Sequence, residues 1–477
     1  MPVAIVLDRA SSTPFHRQIY EQWRAGILAG RFQRGDRVPS TRELSTSLRI
    51  SRNTATQAYE QLVAEGYLDS ARGSGTFVCR QLPEELLWAD RVRRTTAIED
   101  APLRLSRYGE RLQDDVAFET PQAGVISFAH WRPDLNHFPL AIWRKLMMRR
   151  LRTAARVLFD YSDESAGHPA LREEIAGHVA KSRAVRCSPE QVVIVNGSAQ
   201  GIDLCARLLL DAGDEVAIEN PCYQGAQRIF SAFGARLRPV PVDEDGILTS
   251  KLGTQARLAY VTPSHQFPAG VSLSLARRLQ LIAWARRHGV TLIEDDYDSE
   301  YRYSGPPLPA LQGLANGVPV IYIGTFSKVM FPALRIGYVI APEQLVTPLR
   351  RAKWLADRHT HMLDQAVLAD FIAQGHLERH IRRMRRLYGR RRAALIEALQ
   401  RYFGDRARPW GDAAGMHVLV RFSDDTIADR AAKAGVQLAS AQGHYLANAP
   451  RGEFIFGFSS IGERMIREGV RRLAKAS

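Results

Sequence analysis

The segment GTFSKVMFPALRIGY, residues 324–338, follows the apolar run VIYI and leads into the apolar run YVIA. Its lysine, Lys328, therefore lies just after a predicted β-strand. Open α/β sheets bind ligands at the carboxyl ends of their strands, and a lysine there is placed to form a Schiff base. Lysines that face solvent are commoner, so the interpretation of Lys328 depends on which residues come to the same edge.

Short apolar strands alternate with helical stretches on both sides of this segment. The predicted strands are VVIVNG (192–197), EVAIENP (215–221), RLRPVPV (236–242), RLAYVTP (257–263), VTLIEDDY (290–297), VIYIGTFSK (320–328) and RIGYVIAP (335–342). SLARRLQLIAWARRHG (274–289) predicts a helix, and so does the Arg-rich stretch 365–403. The alternation predicts an α/β domain with a mainly parallel, seven-stranded sheet. Residues 404–477, with GMHVLVRF and EFIFGFSS, predict a smaller α+β lobe.

Polar residues follow several of these strands. Asp295 ends VTLIED and can hold the proton of a pyridinium nitrogen, while Tyr297 can donate to a phenolic oxygen of the same ring. Ser198, Ala199 and Gln200 open a helix after VVIVNG. Their backbone N–H groups and the helix dipole can bind a phosphate group.

Four more residues complete this predicted site. Arg335 can neutralise the phosphate, and Thr325 and Ser327 can donate hydroxyl hydrogen bonds to it. Tyr223, in ENPCYQG, can stack on a planar ring. Each residue has a structural alternative, such as a turn cap or a place in the core. Together, at successive strand ends, they predict pyridoxal 5′-phosphate as a cofactor joined to Lys328.

The first 80 residues predict a small helical unit that ends in a hairpin. PFHRQIYEQWRAGILA (14–29) has apolar residues at helical spacing. Ser40 caps a second helix, with Glu43 three residues on as a capping box, and Ser51 opens a third helix. YLDSARGSGTFV places strand residues on both sides of a glycine-rich tip.

Two helices joined by a tight turn fit the helix-turn-helix mode of DNA binding. Arg52, at the start of the third helix, can contact guanine or phosphate, and Ser51 and Thr54 supply short donors. Arg42 can reach the DNA backbone or a base edge, and Arg72 on the hairpin tip can enter the minor groove. A small protein-interaction module with a basic face is the alternative.

The composition is that of a globular protein, with 45% hydrophobic and 24% charged residues in 477, and excludes a wholly disordered chain. The 65 lysines and arginines exceed the 50 acidic residues, which gives a net charge of +15. That excess suits a polyanionic partner such as double-stranded DNA. An arginine-rich proteome explains the same balance equally well.

No run of about 18 apolar residues is present, so no membrane span is expected. The first ten residues include Asp8 and Arg9 and lack the pattern of a signal peptide, so we expect the cytoplasm. The four cysteines form no C-x-x-C pair, which argues against a disulfide framework and against a metal site.

Three parts are expected from these patterns. They are a winged helix-turn-helix DNA-binding domain at 1–80, a linker at 81–124, and a cofactor-binding effector and dimerisation domain at 125–477. The linker is predicted from its charge runs DRVRR and RYGERLQDD and its prolines, with room for short helices.

From His16 to Val78 the chain resembles the GntR family of winged-helix regulators. The matching runs are QIYEQWRAGILAGRFQRGDRVPSTREL, SRNTATQAYEQLVAEGYL and ARGSGTFV. The resemblance implies DNA contacts at Arg42, Ser51, Arg52, Thr54, Thr56, Arg72 and Gly73.

From about 125 to 475 the chain resembles the fold-type I aminotransferases. The motifs are YSDESAGHPALR, VNGSAQGID, ENPCYQG, TPSHQFPAG, EDDYDSEYRY and GTFSKVMFPALRIGY. The resemblance implies that Lys328 forms the internal aldimine. It also implies that Tyr161 reaches the phosphate of a partner subunit in a homodimer.

The two parts together resemble the MocR/GabR family. This implies a transcriptional regulator that depends on pyridoxal phosphate. Our hypothesis for its mechanism is that an amine or amino-acid-like effector forms an aldimine with the cofactor in place of Lys328 and so alters DNA binding. Alternatives are a regulator that senses pyridoxal phosphate itself, a genuine aminotransferase with an accessory DNA-binding head, and a DNA-binding protein whose body is only a dimerisation scaffold.

Two departures from the transaminase pattern affect the expected activity. Phe267 stands where transaminases carry an asparagine that contacts the ring oxygen. Ile455 stands where they carry an arginine for the substrate carboxylate, with Arg451 nearby. Because catalysis needs closely placed groups, we expect at most weak transaminase activity.

Overall fold

The computed structural model describes residues 5–71, 75–86, 103–112, 124–153, 156–162, 164–305, 308–424 and 426–476. The chain divides into two units, Met1–Arg104 and Leu105–Ser477, called here the head and the body. The predicted DNA contacts Arg72 and Gly73 and most of the predicted linker 81–124 lie outside the described residues. The predicted domain boundaries therefore stay predictions.

The head has the predicted helices and hairpin. Its elements are α1 (Phe15–Leu28), β1 (Arg37–Val38), α2 (Thr41–Leu48), α3 (Arg52–Ala64), β2 (Leu68–Ala71), β3 (Gly75–Val78) and α4 (Pro83–Leu86). The strands form a sheet of order β1-β3-β2, which is the wing of a winged helix-turn-helix. The predicted capping box is present, because the Ser40 hydroxyl accepts from the Glu43 amide and the Glu43 carboxylate accepts from the Ser40 amide.

The core of the head is built around Trp23, whose side chain is buried. Its ring lies 4.3 Å from the ring of Phe32 and edge-on to Tyr59, with ring centroids 6.1 Å apart. Tyr59 is on α3 and its hydroxyl donates to the carbonyl oxygen of Pro39, just before α2. This packing fixes α3 against α1 and the start of α2.

The body alternates helices and strands. Its helices are α5 (Arg107–Glu110), α6 (Leu140–Thr153), α7 (Pro169–Arg183), α8 (Ser198–Leu209), α9 (Gln224–Ala232), α10 (Leu275–His288), α11 (Leu311–Leu314), α12 (Glu343–Asp357), α13 (Met362–Ala373), α14 (His376–Phe403), α15 (Ile427–Ala434) and α16 (Glu463–Lys475). Its strands are β4 (Ile126–Ser127), β5 (Val192–Val195), β6 (Glu215–Asn220), β7 (Arg236–Asp243), β8 (Gly246–Ile247), β9 (Ala256–Val261), β10 (Thr291–Asp296), β11 (Val320–Thr325), β12 (Gly337–Ile340), β13 (Ala407–Trp410), β14 (His417–Phe422), β15 (Val436–Gln437), β16 (Ala439–Ser440) and β17 (Glu453–Gly457). Among the described residues, no helix combines the length and the apolar character needed to cross a membrane.

The large sheet of the body has the strand order β5-β12-β11-β10-β9-β6-β7-β8. Strands β7, β6, β9, β10 and β11 pair in parallel. Strand β12 pairs antiparallel with both β11 and β5, so β5 runs in the same direction as the five parallel strands. The predicted mainly parallel sheet is confirmed, but it has eight strands instead of seven. The eighth strand, β8, has two residues and pairs antiparallel with β7, so it is too short to give an apolar pattern.

The smaller lobe has a second sheet, of order β13-β14-β17-β16, with α14 and α16 beside it. The predicted strands GMHVLVRF and EFIFGFSS are β14 and β17, which pair antiparallel. The helical stretch predicted over 365–403 is two helices, because Gly375, at φ 68°, interrupts it between α13 and α14.

Candidate functional site

Lys328 lies three residues past the end of β11, inside the body. Its Nζ donates to the carbonyl oxygen of Trp131 at 3.1 Å. Burial lowers the pKa of Lys328 to about 8, helped by the charge of Arg335 and opposed by nearby carboxylates. Much of the amine is therefore unprotonated near pH 8, which is the state that attacks a carbonyl carbon.

Asp295 is on β10, next to β11 in the sheet. Its Oδ2 accepts a hydrogen bond from the Tyr260 hydroxyl at 2.6 Å. Its Oδ1 is buried, and no described residue offers it a hydrogen bond. Burial raises the pKa of Asp295 to about 7, against the Tyr260 hydrogen bond, which favours the carboxylate. An orphaned carboxylate oxygen of this kind is suited to a ring N–H donor.

The N-terminus of α8 forms an anion site together with Arg335. Gly197 precedes the helix at φ 88°, and a Cβ there would come within 2.9 Å of the Arg335 guanidinium. Arg335 also donates to the carbonyl oxygen of Asn196 at 2.7 Å. A guanidinium beside the free N–H groups of Ser198 and its neighbours is the arrangement that binds phosphate.

The other predicted phosphate residues contribute in different ways. The Ser327 amide donates to Thr325 Oγ1 at 3.2 Å, while Ser327 Oγ is buried without a hydrogen-bond partner in the described part of the chain. The Gln200 side chain donates to Asp357 Oδ2 at 2.8 Å, so it is occupied away from the anion site. Gln200 and Ala199 can therefore serve through their backbone N–H groups.

An aromatic wall stands beside these groups. The Tyr223 ring, at the start of α9, meets Phe267 edge-on with centroids 6.2 Å apart, and Phe267 meets Tyr297 in the same way at 5.9 Å. The Tyr297 hydroxyl lies 2.9 Å from His265 Nδ1. Burial raises the pKa of Tyr297 well above its ordinary value, so the hydroxyl keeps its proton. Its predicted contact with a cofactor oxygen stays a prediction.

Four histidines that the sequence analysis did not single out surround this wall. The rings of His130, His417 and His444 lie 5.5, 5.2 and 5.0 Å from the ring of Phe267. His265 lies 4.7 Å from His417. We call these four residues the histidine cluster. They come from four distant segments, and only His265 belongs to a motif, TPSHQFPAG, that the sequence made conspicuous.

His265 is tied to Asp298, whose two carboxylate oxygens lie 3.0 and 3.1 Å from its Nδ1. Asp298 Oδ2 also accepts from the Met416 amide at 3.2 Å. His265, Asp298 and His417 each offer a ligand atom, all within 4.8 Å of one another. Gly415 lies against the His265 ring so closely that any Cβ there would overlap it.

The residues that depart from the transaminase pattern lie in and beside the sheet of the smaller lobe. Ile455 is fully buried on β17, and Phe267 packs against its cluster. Arg451 is exposed in the turn before β17.

Tyr161 is 77% exposed, and the Arg358 guanidinium lies 4.8 Å from its ring centroid. In the single chain the Tyr161 side chain therefore faces solvent.

The predicted DNA contacts of the head lie at the starts of α2 and α3. Arg42 and Arg52 are exposed, and Thr56 is half-buried. Ser51 caps α3, because its hydroxyl accepts from the Thr54 amide at 3.1 Å, and the two hydroxyls lie 2.8 Å apart. The cap holds the first turn of α3 rigid where it would meet DNA.

The groups around Lys328 fit pyridoxal phosphate. The orphaned Asp295 Oδ1 suits the pyridinium N–H, the orphaned Ser327 Oγ suits a phosphate oxygen, and Gly197 leaves room beside Arg335. Lys328 supplies an amine with a lowered pKa. This combination defines a cofactor site of the aminotransferase kind.

Comparison with known families agrees with both units. Residues 114–449 match the family of aminotransferase class I and II, and residues 15–78 match the gntR family of bacterial regulatory proteins. The solved structure of LysN, an alpha-aminoadipate aminotransferase from Thermus thermophilus complexed with N-(5′-phosphopyridoxyl)-L-leucine, is 30% identical. It covers 78% of this chain and 96% of its own, with a TM-score of 0.72. The protein is a transcriptional regulator with an aminotransferase-like domain.

Two curated relatives span nearly the whole chain. A probable rhizopine catabolism regulatory protein, MocR, from Rhizobium meliloti is 39% identical over 99% of this chain and 95% of its own length. The pyridoxine biosynthesis regulator PdxR from Corynebacterium glutamicum is 32% identical over 100% of this chain and 98% of its own length. The chain belongs to the MocR/GabR type of regulators, and its cofactor is pyridoxal 5′-phosphate.

Proposed function

We propose that the protein changes its DNA binding when an amine effector reacts at the cofactor held by Lys328. The observation that carries this proposal is the half-buried Lys328, with its pKa lowered to about 8, near the orphaned carboxylate oxygen of Asp295. When bound, pyridoxal phosphate supplies an aldehyde carbon that primary amines attack. Lys328 would hold the cofactor at that carbon, and an effector amine would take the place of Lys328.

The other site residues hold the cofactor still while its amine partner changes. Asp295 keeps a proton on the ring nitrogen, and Arg335 with the start of α8 neutralises the phosphate. Tyr223 and Phe267 exclude water from the ring face. Because these contacts do not involve Lys328, the exchange of one amine for another leaves the cofactor in place.

The test is the absorption spectrum of the cofactor-loaded protein during titration with primary amines and amino acids. A band that shifts with an amine and then stays shifted supports a sensor. Conversion to the pyridoxamine form with release of a keto acid, repeated over many turnovers when a second keto acid is supplied as amino acceptor, would instead identify an aminotransferase. We expect at most weak turnover. DNA binding that follows the cofactor and ignores every amine would identify a regulator of pyridoxal phosphate supply.

We also propose a homodimer, in which Tyr161 reaches the phosphate of the partner. Arg358 lies 4.8 Å from the ring of Tyr161 and 5.4 Å from the ring of Trp354, so both rings are part of one exposed region. Apolar side chains of this region and of α6 are exposed: Leu140, Met148, Leu151, Phe159, Trp354 and Leu355. Exposed apolar surface of this extent is typical of an interface. Light scattering should give twice the chain mass of 53.4 kDa.

The helix α9 is the element that we propose carries the signal from the site toward the linker. The helix begins directly after Tyr223, which forms part of the aromatic wall. The Cys222 amide and the Gln227 side chain both donate to the carbonyl oxygen of His444, at 2.9 and 2.8 Å. Closure of the smaller lobe on an effector therefore moves the N-terminal end of α9.

The other end of α9 contacts the described part of the predicted linker. The ring of Tyr108, on α5, lies edge-on to Phe233, with centroids 5.2 Å apart. Arg111 donates to the carbonyl oxygen of Ala232 at 3.3 Å. One short helix thus contacts the aromatic wall, the smaller lobe and the linker.

Tyr108→Ala should uncouple effector binding from DNA binding. The substitution removes the ring contact with Phe233 but touches no residue around Lys328, so the spectral titration should be unchanged. The effector-induced change in DNA affinity, measured by mobility shift, should disappear. Tyr108→Phe keeps the ring and should keep the response. An undiminished response in Tyr108→Ala would reject α9 as the connection.

Arg52→Ala should weaken binding to an operator fragment by about 1 to 3 kcal/mol if Arg52 reads a base. If Arg52 contacts phosphate instead, the slope of the logarithm of the binding constant against the logarithm of salt concentration should become shallower by about one. Arg31→Ala is the matched control, because Arg31 is exposed in the head but lies outside α2 and α3. Equal losses in both variants would contradict the proposed docking. Since the gntR family match implies DNA binding, we also propose the cytoplasm as the location.

A further inference from the structure

We infer that the histidine cluster binds hydroxyl groups of the amine effector, so that the effector is a hydroxylated amine. This inference rests on the proposed function and specifies its ligand. The cluster consists of His130, His265, His417 and His444, as defined above.

The cluster lies next to the amine that the effector would replace. Lys328 Nζ donates to the carbonyl oxygen of Trp131, the residue that follows His130. The positive charge of Lys328 contributes to the lowered pKa values of His130 and His417. An effector joined to the cofactor in place of Lys328 therefore extends toward these rings.

The three imidazoles around Phe267 are uncharged near pH 7. Burial lowers the pKa of His130 to about 3 and the pKa of His444 to about 4. Burial also holds the pKa of His417 well below its ordinary value. These rings therefore act as neutral hydrogen-bonding groups and offer no positive charge to an acidic ligand.

Existing hydrogen bonds decide which ring nitrogens carry the protons. His444 Nδ1 lies 3.2 Å from the carbonyl oxygen of Cys222, and His417 Nε2 lies 3.2 Å from that of Pro268. A carbonyl oxygen only accepts, so both of these nitrogens are donors. In a neutral imidazole the remaining nitrogen is then an acceptor. His444 and His417 each keep one acceptor nitrogen.

His265 is held by Asp298, whose carboxylate accepts from its Nδ1 at 3.0 Å. The His265 Nε2 is buried, and it has no hydrogen-bond partner in the described ranges. Within those ranges, His130 Nδ1 is likewise buried without a partner. The cluster therefore offers two kinds of site to a ligand: the acceptor nitrogens of His417 and His444, and the buried, unpartnered nitrogens of His265 and His130.

The ligand that satisfies such a cluster donates hydrogen bonds. A carboxylate has acceptor oxygens only and would lie near the Asp298 carboxylate, so it fits poorly. An alkyl chain leaves the nitrogens unpaired, which is costly in a buried site. Hydroxyl groups donate to imidazole nitrogens and remain uncharged. A transition metal also suits imidazole nitrogens, but both Asp298 oxygens are already engaged by His265 Nδ1 and the Met416 amide.

The experiment compares matched amines by spectral titration of the cofactor-loaded full chain. Serinol and glucamine carry hydroxyls, isopropylamine and hexylamine have the same carbon skeletons without them, and alanine and β-alanine carry a carboxylate. We expect the hydroxylated amines to bind about tenfold or more tightly than their alkyl counterparts, since each lost hydrogen bond leaves buried groups unpaired. His130→Phe and His444→Phe should each reduce that ratio and spare alkylamine binding. His288→Phe, on α10 and outside the cluster, is the control.

Three results would overturn the inference alone. The first is tighter binding of alanine or β-alanine than of the hydroxylated amines. The second is a ratio of hydroxylated-amine to alkylamine affinity that stays unchanged in His130→Phe and in His444→Phe. The third is tight binding of Zn²⁺ alone that is lost either in both of these variants or in His417→Phe. A spectrum that no amine shifts would overturn the proposed function as well, so the two failures are distinguishable.

Discussion

Lys328→Ala will abolish the lysine-linked absorption band of the cofactor-loaded protein and, with it, the response of DNA binding to amines. The expected effect is complete for the band, because no other amine is placed at the end of β11 beside Asp295 among the described residues. Non-covalent cofactor retained by Arg335 and α8 should still be detectable by its absorbance after gel filtration. The band is measured by absorption and the response by mobility shift.

The matched control for this variant is Lys251→Ala, which removes an exposed lysine from the body. It should keep both the band and the response. An effector response in Lys328→Ala equal to that of the unaltered protein would contradict the proposed role of Lys328, even if its band were lost.

The same lysine sets an expected pH dependence for cofactor uptake. Because the pKa of Lys328 is lowered to about 8, the amine is mostly protonated below that pH and mostly free above it. The rate of covalent uptake by the cofactor-free protein should therefore rise about tenfold per pH unit below pH 8 and level off above it. A rate that keeps rising past pH 10 would show an ordinary lysine.

Arg183→Ala is expected to cause the largest loss of stability. Arg183 Nε donates to Asp296 Oδ2 at 2.8 Å, and both side chains are buried. The substitution leaves the Asp296 carboxylate without its cation, and among the described residues the Tyr322 hydroxyl, at 2.6 Å, is then the one remaining side-chain donor to it. Removing one partner of a buried ion pair costs about 3 to 5 kcal/mol. Urea unfolding followed by circular dichroism, at fixed cofactor concentration, measures the loss.

This loss should reach the cofactor site as well. The charge of Asp296 raises the pKa of its neighbour Asp295, so an uncompensated Asp296 should raise it further and weaken the hold on the pyridinium proton. Arg183→Lys keeps the charge and should lose less of both stability and cofactor affinity. A loss below about 1 kcal/mol in Arg183→Ala would mean that the pair behaves like a surface ion pair.

The cofactor site was predictable because its residues follow strands. Lys328 and Asp295 come at the ends of apolar runs, and parallel strands bring such ends to one edge of a sheet. The start of α8 was predictable for the same reason, since Gly197 follows β5 and begins a helix. The capping box at Ser40 and Glu43 was visible as a local spacing, which needs no tertiary information.

The histidine cluster could not be predicted in this way. His130 precedes α6, His417 is on β14 and His444 follows β16, so no periodicity links them. Their meeting depends on how the smaller lobe packs beside the large sheet. The contact between Tyr108 and Phe233 was equally hidden, because the linker has no apolar period that would show which residue faces the body.

The closeness of Gly415 to His265 has a practical consequence for anyone who adapts this regulator as a biosensor. A library of altered effector specificity usually varies every position around a pocket, but any side chain at Gly415 would displace the His265 ring and, through it, Asp298. Such a library should fix Gly415 as glycine. Diversity belongs at His130 and His444, where new side chains would change the chemistry offered to the ligand.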